Sequence, residues 1–384
     1  MTRRISILGA TGSIGGSTLD LIARQPDRWR VAALTANCQA QELARLARRF
    51  DAEVAVVADE TCLPELRDAL AGSGIEAAGG AGALIESAAR PVDITIAAIV
   101  GCAGLAPTMA AIEQGRTVAL ANKEALVSAG DVMKAAVARC GTVLLPMDSE
   151  HNAIFQCLAG NDPAYVRSIT LTASGGPFRD WSMAQLAAAT PAQAVKHPNW
   201  SMGAKISVDS ATMFNKGLEL IEAWHLFPVA LDALRIIIHP QSVVHSMVEY
   251  RDGSTLAQLG PSDMRVPIAS CLAWPERMDT PCPPLDLARL GELTFRPPDE
   301  DRFPATRLAR EAAAAGGAAP AVLNAANEMA VAAFLAGHLP FTRIAVTVEE
   351  LLARYVPPAA ASLDEVIAID AEARSVARQM LELV

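Results

Sequence analysis

The sequence predicts an α/β fold: an N-terminal Rossmann-like domain with a doubly wound parallel sheet, a central α+β domain with a mostly antiparallel sheet, and a C-terminal α-helical bundle. Three observations predict it. Apolar runs alternate with helical patterns over the first 150 residues, a hairpin signal lies at Asp252-Gly253, and four helical segments follow a proline-rich stretch. We expect domains at 1–150, 151–275 and 306–384, with a Pro-rich linker at 276–305.

Composition limits the partners and the compartment. The 384 residues carry a net charge of −10, which argues against a nucleic-acid partner. Seven scattered cysteines without a C-x-x-C pair favour reduced thiols in a cytoplasmic protein. The chain enters a strand almost directly after Met1, so we expect no signal peptide. Glycines and a proline interrupt the uncharged run Ile94 to Ile112, which favours a buried strand over a membrane span.

The first domain alternates strands and helices, and a glycine-rich turn follows its first strand. The predicted strands are Arg4–Leu8, Val31–Thr35, Val54–Val57, Ile94–Ile99, Thr117–Ala121 and Val143–Leu145. Gly9-Ala-Thr-Gly12-Ser-Ile-Gly15 lies before a helix expected from Ser17, with the spacing G-x-x-G-x-x-G. Such a turn brings backbone N–H groups and the positive end of a helix to a pyrophosphate. It predicts a dinucleotide site, and a purely structural turn is the alternative.

The residues after the second strand bear on the choice of cofactor. A site that prefers NAD usually has Asp or Glu there, bound to the ribose 2′-OH. This sequence has Thr35-Ala-Asn37-Cys38-Gln39, without an acid to repel a 2′-phosphate and without a base to attract it. NADPH is the predicted cofactor.

Two polar clusters follow later strands. Asn122-Lys123-Glu124 comes directly after Thr117–Ala121, and Asp148-Ser149-Glu150-His151 follows Val143–Leu145. Because parallel strands end at one edge of a sheet, both clusters should lie beside the glycine loop. Two hard carboxylates suit Mg²⁺ or Mn²⁺. For either cluster alone, favourable acids at a helix N-terminus are the alternative.

The central region presents further polar side chains. Its strands are predicted at Ile169–Thr172, Arg235–Ile238, Val243–Tyr250 and Thr255–Leu259. Ser174-Gly175-Gly176 ends one strand and opens a loop over 175–204, which we expect to be mobile. Beyond the linker, helices are predicted at Arg307–Ala315, Ala321–Ala336, Ile344–Tyr355 and Leu363–Leu383.

A polar set follows this loop. If a helix starts after Ser210 as its N-cap, then Thr212, Asn215, Lys216 and Glu219 lie on one face. This set could hold a phosphorylated, hydroxylated small molecule and a metal. The alternative is a solvated helix face with a Lys216–Glu219 ion pair.

Two other classes of nicotinamide enzyme fit poorly. Short-chain reductases need Tyr-x-x-x-Lys, and none of the three tyrosines has a lysine four positions later. A semialdehyde-type dehydrogenase needs an activated cysteine, whereas Cys157 lies in an apolar run.

The motifs GATGSIG, ALANKE, PMDSEHNAIFQ, SGGPF, HPNWSMGAKISVDSATMFNKGLELIEA, HPQSVVHSMVEY and LNAANE resemble the 1-deoxy-D-xylulose 5-phosphate reductoisomerase family over essentially the whole chain. The resemblance implies a cytoplasmic homodimer that rearranges this small phosphorylated sugar and reduces it to 2-C-methyl-D-erythritol 4-phosphate with NADPH and Mg²⁺ or Mn²⁺. This reaction belongs to isoprenoid biosynthesis. The alternatives are another metal-dependent NADP-linked dehydrogenase of a small phosphorylated hydroxy-ketone and a non-catalytic NADP-sensing regulator.

The resemblance also implies roles for individual residues. The catalytic residues would be Lys123, His197 and the three metal ligands Asp148, Glu150 and Glu219. The substrate would contact Lys123, Ser149, Glu150, Ser174, His197, Trp200, Ser210, Asn215, Lys216 and Glu219. Within this set, the phosphate would be bound by Ser174, His197, Ser210 and Asn215.

The cofactor residues follow from the same resemblance. NADPH would contact Thr11, Gly12, Ser13, Ile14, Asn37, Cys38, Gln39, Asn122, Glu124, Met202 and Gly203. Trp200 and Met202 would close over the substrate and the nicotinamide and exclude water. The family often carries a basic residue and Asn where this sequence has Cys38 and Gln39, so the affinity for NADPH could be lower than usual.

Overall fold

A computed structural model describes residues 2–198, 200 and 203–382. Two compact units are present. The first comprises residues 1–125, 133–152 and 264–282, and the second comprises 126–132, 153–263 and 283–384. These units are discontinuous along the chain, whereas the domains expected from the sequence are contiguous. The contiguous boundaries therefore remain a prediction.

The first unit contains a seven-stranded sheet in the order β4-β3-β2-β1-β5-β6-β7, and every pairing in it is parallel. Its strands are β1 (Arg3–Leu8), β2 (Trp29–Ala36), β3 (Val54–Val57), β4 (Glu76–Gly79), β5 (Ile94–Ala97), β6 (Thr117–Leu120) and β7 (Val143–Pro146). β3 and β5 are buried along their whole length, as their apolar sequences predict. The strand order reverses at β1, which is where doubly wound folds bind ligands.

The parallel sheet confirms the predicted class, with one strand added. β4 has the sequence EAAG and lies at the sheet edge, where alanine and glycine give a weak strand signal. The helices of this part are α1 (Ser13–Ala23), α2 (Ala40–Arg49), α3 (Leu63–Leu70), α4 (Ala81–Ala88), α5 (Leu105–Ile112), α6 (Lys123–Cys140) and α7 (Ser149–Leu158).

A four-stranded sheet in the order β11-β10-β8-β9 lies in the second unit. Its strands are β8 (Val166–Ala173), β9 (Leu234–Ile238), β10 (Val244–Tyr250) and β11 (Thr255–Leu259). Only the β8–β9 pairing is parallel, which confirms a mostly antiparallel sheet. The predicted hairpin turn between β10 and β11 contains Gly253, whose φ is +90°.

The segment predicted as a loop over 175–204 contains two short helices. The helices that follow β8 along the chain, up to the end of the Pro-rich segment, are α8 (Met183–Ala187), α9 (Pro191–Ala194), α10 (Ala204–Thr212), α11 (Phe214–Leu226), α12 (Arg265–Ala273) and α13 (Leu287–Leu290). Ser182 and Gln185 form a capping box at the start of α8. Phe178, Leu186 and Ala194 are buried in the core of the second unit. Residues 178–194 are therefore packed, and the mobility of the segment remains a prediction.

The C-terminal helices share a hydrophobic core with earlier helices of the second unit. They are α14 (Ala305–Ala315), α15 (Ala319–Leu335), α16 (Arg343–Arg354) and α17 (Leu363–Glu382). Their buried side chains form one cluster with residues of α10 and α11, such as Val208 and Leu218. The preceding Pro-rich segment is also fixed, since Arg296 forms a two-hydrogen-bond antiparallel bridge with Ile238 of β9. No helix within the described ranges is long and apolar enough to cross a membrane.

Candidate active site

The glycine loop joins β1 to α1 as a dinucleotide-type turn. Gly9 has φ +89°, and a Cβ there would lie 2.7 Å from the carbonyl oxygen of Ala98. A Cβ on Gly15 would lie 2.5 Å from the carbonyl oxygen of Gly9. Gly12 is exposed and is the N-cap of α1, which therefore begins at Ser13 and not at Ser17 as predicted. Two of the three glycines are thus required by close packing, and the third leaves the helix N-terminus open.

This helix end can attract an anion. The first turn of α1 carries no acidic residue, so the partial positive charge of the helix is not neutralised there. Thr11 and Ile14 are half-buried, and Ser13 is exposed beside Gly12. After β2, the three predicted cofactor residues Asn37, Cys38 and Gln39 are all exposed.

Lys123 and Asp148 meet at the carboxyl ends of two neighbouring strands. Lys123 is the first residue of α6 after β6, and Asp148 precedes α7 after β7. Lys123 Nζ lies 2.7 Å from Asp148 Oδ2, and both side chains are largely buried. The preceding Asn122 caps α6 by accepting a hydrogen bond from Ala125 N over 3.0 Å. The prediction that these two clusters lie together is confirmed.

Further contacts hold the acids after β7. Glu150 N donates to Asp148 Oδ1 over 3.1 Å, and Ser149 Oγ donates to Glu150 Oε2 over 2.5 Å. One carboxylate oxygen of Asp148 lies within 4.8 Å of one of Glu150. The predicted site set lacks His151, whose ring is fully buried and whose Nδ1 lies 3.2 Å from Asp148 Oδ1. Its position three residues after Asp148, at the start of a helix, is a signal that could have indicated this contact.

The helix predicted to begin after Ser210 has different boundaries. α10 ends at Thr212, Met213 has a left-handed φ of +68°, and α11 begins at Phe214. Ser210 is therefore inside α10 and is not an N-cap. Thr212 does not join the polar face either, since its hydroxyl donates to the Val208 carbonyl over 2.9 Å. The break was missed because a methionine gives no sequence signal for a left-handed residue.

The other members of the predicted face do converge. Asn215 Nδ2 donates to Glu219 Oε1 over 2.6 Å, and Lys216 Nζ binds Glu219 Oε2. Lys216 and Glu219 are 3% and 1% exposed. A solvated surface ion pair, the alternative interpretation of this pattern, is excluded by that burial.

Ser174 and His197 form a hydrogen-bonded pair with a defined tautomer. Trp200 N donates to His197 Nδ1 over 3.0 Å, so in the neutral ring the hydrogen is on Nε2. Nε2 lies 3.0 Å from Ser174 Oγ, which also accepts from Gly176 N over 3.1 Å. Burial, and then the positive charge of Arg179, lower the pKa of His197 to about 4. The neutral imidazole therefore donates to Ser174, whose own hydroxyl hydrogen can be donated to a ligand.

Ser210 lies against the same turn. Gly176 has φ +68°, and a Cβ there would lie 2.5 Å from the carbonyl oxygen of Ser210. Gly203 is exposed and is the N-cap of α10. Met202, predicted to contact the cofactor, lies outside the described residues.

Two buried groups that the sequence did not indicate support α10. Asp209 Oδ2 lies 2.7 Å from Lys205 Nζ, and Asp209 Oδ1 accepts from Asn327 Nδ2 over 2.8 Å. Asn327 is on α15, far along the chain, so sequence spacing gives no sign of the contact.

Cys157 is buried, which raises the pKa of its thiol to about 11 and excludes it as a thiolate nucleophile at neutral pH.

A dinucleotide-type turn at the switch point of a parallel sheet, with buried Lys–carboxylate groups at strand and helix ends, is typical of a nicotinamide-dependent oxidoreductase. Family models narrow this class. The model described as 1-deoxy-D-xylulose 5-phosphate reductoisomerase matches residues 5–130, and two models of C-terminal domains of the same enzyme match 144–227 and 259–376.

Curated relatives carry the same description. The protein of Zymomonas mobilis subsp. mobilis is 59% identical over 99% of this chain and 98% of its own length. That of Gluconobacter oxydans is 56% identical over 98% and 92%. The chain belongs to the 1-deoxy-D-xylulose 5-phosphate reductoisomerase family. It is an NADP-dependent oxidoreductase that converts 1-deoxy-D-xylulose 5-phosphate to 2-C-methyl-D-erythritol 4-phosphate in isoprenoid biosynthesis.

Two solved structures share the whole fold. The Zymomonas mobilis enzyme in complex with NADPH matches with a TM-score of 0.95, 56% identity and full coverage of both chains. A DOX-P reductoisomerase in complex with NADPH, fosmidomycin and magnesium matches with a TM-score of 0.93, 44% identity and coverage of 99% and 98%.

Proposed function

We propose that two groups of side chains have different binding roles in this enzyme. The first, in the first unit, binds the cofactor and the reacting oxygens of the substrate. The second, in the second unit, binds the substrate phosphate and contributes one acid, Glu219. The observation that carries this proposal is the buried Lys123–Asp148 pair beside Glu150, because it sets an ammonium and two carboxylates at the strand ends beyond the glycine loop.

The open N-terminus of α1 supports NADPH binding. We propose that the pyrophosphate binds at Thr11, Gly12, Ser13 and Ile14, where backbone N–H groups and the helix dipole favour an anion. The adenosine end would extend over Asn37, Cys38 and Gln39, and the nicotinamide end past Asn122, Glu124, Met202 and Gly203. The solved structure of the Zymomonas mobilis relative is a complex with NADPH, which supports the same cofactor here.

The donor set fits a hard divalent cation, Mg²⁺ or Mn²⁺. We propose Asp148, Glu150 and Glu219 as its ligands, since all three offer carboxylate oxygens. Magnesium is present in a solved relative of 44% identity. When bound, the cation supplies Lewis-acid polarisation of the substrate ketone, and NADPH supplies the hydride.

The chain's own residues orient the substrate and stabilise charge. Lys123 and Lys216 place ammonium groups beside Asp148 and Glu219, where they can donate to substrate oxygens that become more negative during the rearrangement. Ser149 and Asn215 are hydrogen-bonded to Glu150 and Glu219, which holds these polar groups in fixed positions. The low dielectric of a buried site strengthens each of these interactions.

Ser174, His197, Ser210 and Asn215 would bind the phosphate. Ser174 can donate its hydroxyl hydrogen to a phosphate oxygen, because its oxygen accepts the Nε2 hydrogen of His197, whose Nδ1 is already bonded to Trp200 N. The neutral ring gives a donor without a full charge. Trp200 follows the phosphate-binding histidine closely and would cover the bound substrate.

The test follows NADPH absorbance after addition of 1-deoxy-D-xylulose 5-phosphate with Mg²⁺ or Mn²⁺, with EDTA as the control. We expect substrate-dependent oxidation of NADPH that EDTA abolishes. If EDTA leaves the rate unchanged, the carboxylates do not hold a required cation.

We also propose that the protein is a cytoplasmic homodimer. All seven cysteines are free thiols, as in a reducing compartment. β11 lies at the edge of its sheet with Leu256 43% exposed, which offers a surface for a second copy. Light scattering should give about twice the chain mass, and a monomer mass at micromolar concentration would contradict the assignment.

A further inference from the structure

A cavity lies in the second unit beside the turn that carries Ser174. Its volume is about 280 Å³. One wall is the segment after Ser174, another is the Pro-rich segment before α14, and the base is formed at Met213 between α10 and α11. Ser174, His197, Ser210 and Asn215 do not line it.

Three arginines give this cavity a positive charge in an acidic protein. Arg179, Arg296 and Arg302 line it, together with two acids, Asp180 and Asp299. The local charge is therefore about +1, although the chain as a whole has a net charge of −10. An anion is attracted to such a pocket.

The arginines are positioned, and they retain donors for a ligand. Asp180 is shared: Oδ2 lies 3.2 Å from Arg179 Nε and Oδ1 lies 3.0 Å from Arg296. Arg302 binds Asp299 over 2.7 Å and the Trp181 carbonyl. Arg179 also donates to the Ser174 carbonyl over 3.4 Å. Since each guanidinium has five N–H groups and these bonds use one or two of them, donors remain on each arginine for a ligand. Such planar donor sets suit phosphate oxygens.

The remainder of the lining is apolar. Phe303 and Met213 are buried, and Ile238 is 8% exposed, beside Pro297 and Pro298. A bare inorganic ion would leave the exposed part of this lining, at Pro297 and Pro298, in contact with water. A ligand that carries a short hydrocarbon group beside its phosphate would cover it.

We propose that this cavity binds a small organic phosphate or diphosphate, with its anionic group on the three arginines and its hydrocarbon group against Met213, Ile238 and Phe303. The cavity borders the turn of the proposed phosphate-binding Ser174: Gly175 lines the cavity, and Arg179 Nη1 donates to the Ser174 carbonyl over 3.4 Å. The proposal does not depend on the substrate assignment, because none of the proposed substrate residues lines the cavity.

Calorimetric titration of the full chain tests this with n-butyl diphosphate and with inorganic pyrophosphate. We expect saturable binding of both, with butyl diphosphate at least about fivefold tighter because its hydrocarbon group covers the apolar wall. Arg296→Gln and Arg302→Gln should each weaken butyl diphosphate binding about tenfold. The matched control is Arg235→Gln, whose side chain is 60% exposed against 57% for Arg296 and also pairs with a carboxylate. It should change the affinity by less than about twofold.

Asn215→Ala separates the two phosphate sites. This substitution weakens the proposed substrate site, but Asn215 does not line the cavity. Butyl diphosphate should therefore bind this variant with unchanged affinity. Loss of binding in Asn215→Ala with full binding in Arg296→Gln would show that the probe occupies the substrate site and would overturn the proposal. Equal affinities for the two probes would overturn the organic part of the ligand class, and no saturable binding would overturn the whole.

Discussion

Asn327 Nδ2 donates a hydrogen bond to Asp209 Oδ1 over 2.8 Å, and both side chains are buried. This bond ties α15 to α10, and Asp209 also holds Lys205 near the start of α10. Because α10 carries Ser210, a residue far along the chain, Asn327, helps to fix the position of a proposed substrate residue.

Asn327→Leu is expected to lower the free energy of unfolding by about 1–3 kcal/mol, since it removes a donor from a buried carboxylate. Urea denaturation measures this. Asn161→Ala is the control, because Asn161 is exposed and two of its acceptors, the carbonyls of Cys157 and Ala159, lie within four residues of it. Equal unfolding curves for the two variants would contradict a supporting role for Asn327.

Gly15→Ala is expected to disrupt the cofactor loop, whereas Gly16→Ala should be tolerated. A Cβ on Gly15 would lie 2.5 Å from the Gly9 carbonyl oxygen, but a Cβ on Gly16 meets no atom within 4 Å. We expect NADPH affinity to fall at least about tenfold in the first variant. In Gly16→Ala the NADPH affinity should be unchanged, and the free energy of unfolding should be unchanged or higher by about 0.5–1 kcal/mol. Equal dissociation constants, measured by NADPH fluorescence, would exclude close packing at Gly15 as a requirement.

Glu219→Gln is expected to lower turnover by about a hundredfold or more, because a neutral amide is a poor ligand for a hard cation. NADPH binding should persist, since none of the proposed cofactor contacts changes. The measurements are steady-state turnover and NADPH fluorescence titration. Near-normal turnover would remove Glu219 from the metal site.

His197 should remain neutral from pH 8 to about pH 5. Its pKa is lowered from 6.5 to about 4, so the unfolded chain binds more protons than the folded chain between these values. Its contribution to stability is thus complete above pH 6.5 and is lost as the pH falls toward 4. Unfolding free energy should decline more steeply over this range in the wild type than in His197→Gln. An NMR titration midpoint near 6.5 would contradict this prediction.

NADPH should be preferred over NADH by a modest factor. Asn37, Cys38 and Gln39 place no acid against a 2′-phosphate and no base beside it. Steady-state kinetics with both cofactors should show a lower KM for NADPH. A lower KM together with a higher turnover for NADH would reverse the assignment.

Local patterns predicted much of this fold. Alternating apolar runs indicated six of the seven parallel strands, and the glycines marked the turn after β1. The meeting of Lys123 with Asp148 was predictable because parallel strands end at one edge of a sheet. β4 was missed because its residues have a weak strand propensity.

Other features required contacts between distant parts of the chain. The left-handed residue Met213 divides the polar helix, so Ser210 and Asn215 are on different helices. A sequence pattern cannot show this, because tertiary packing overrides the helical preference of these residues.

The sequence by itself determined the fold class of each unit, the position of the nucleotide-type turn and most of the polar residues proposed for the site. These features depend on residue type and short-range spacing. The tertiary structure decided which hydrogen each group presents and what holds it there. The Nε2 hydrogen of His197 is accepted by Ser174, which lies 23 residues earlier, and α10 depends on Asn327 of α15. Hydrogen-bond partners of this kind are fixed by folding in three dimensions and not by spacing along the chain.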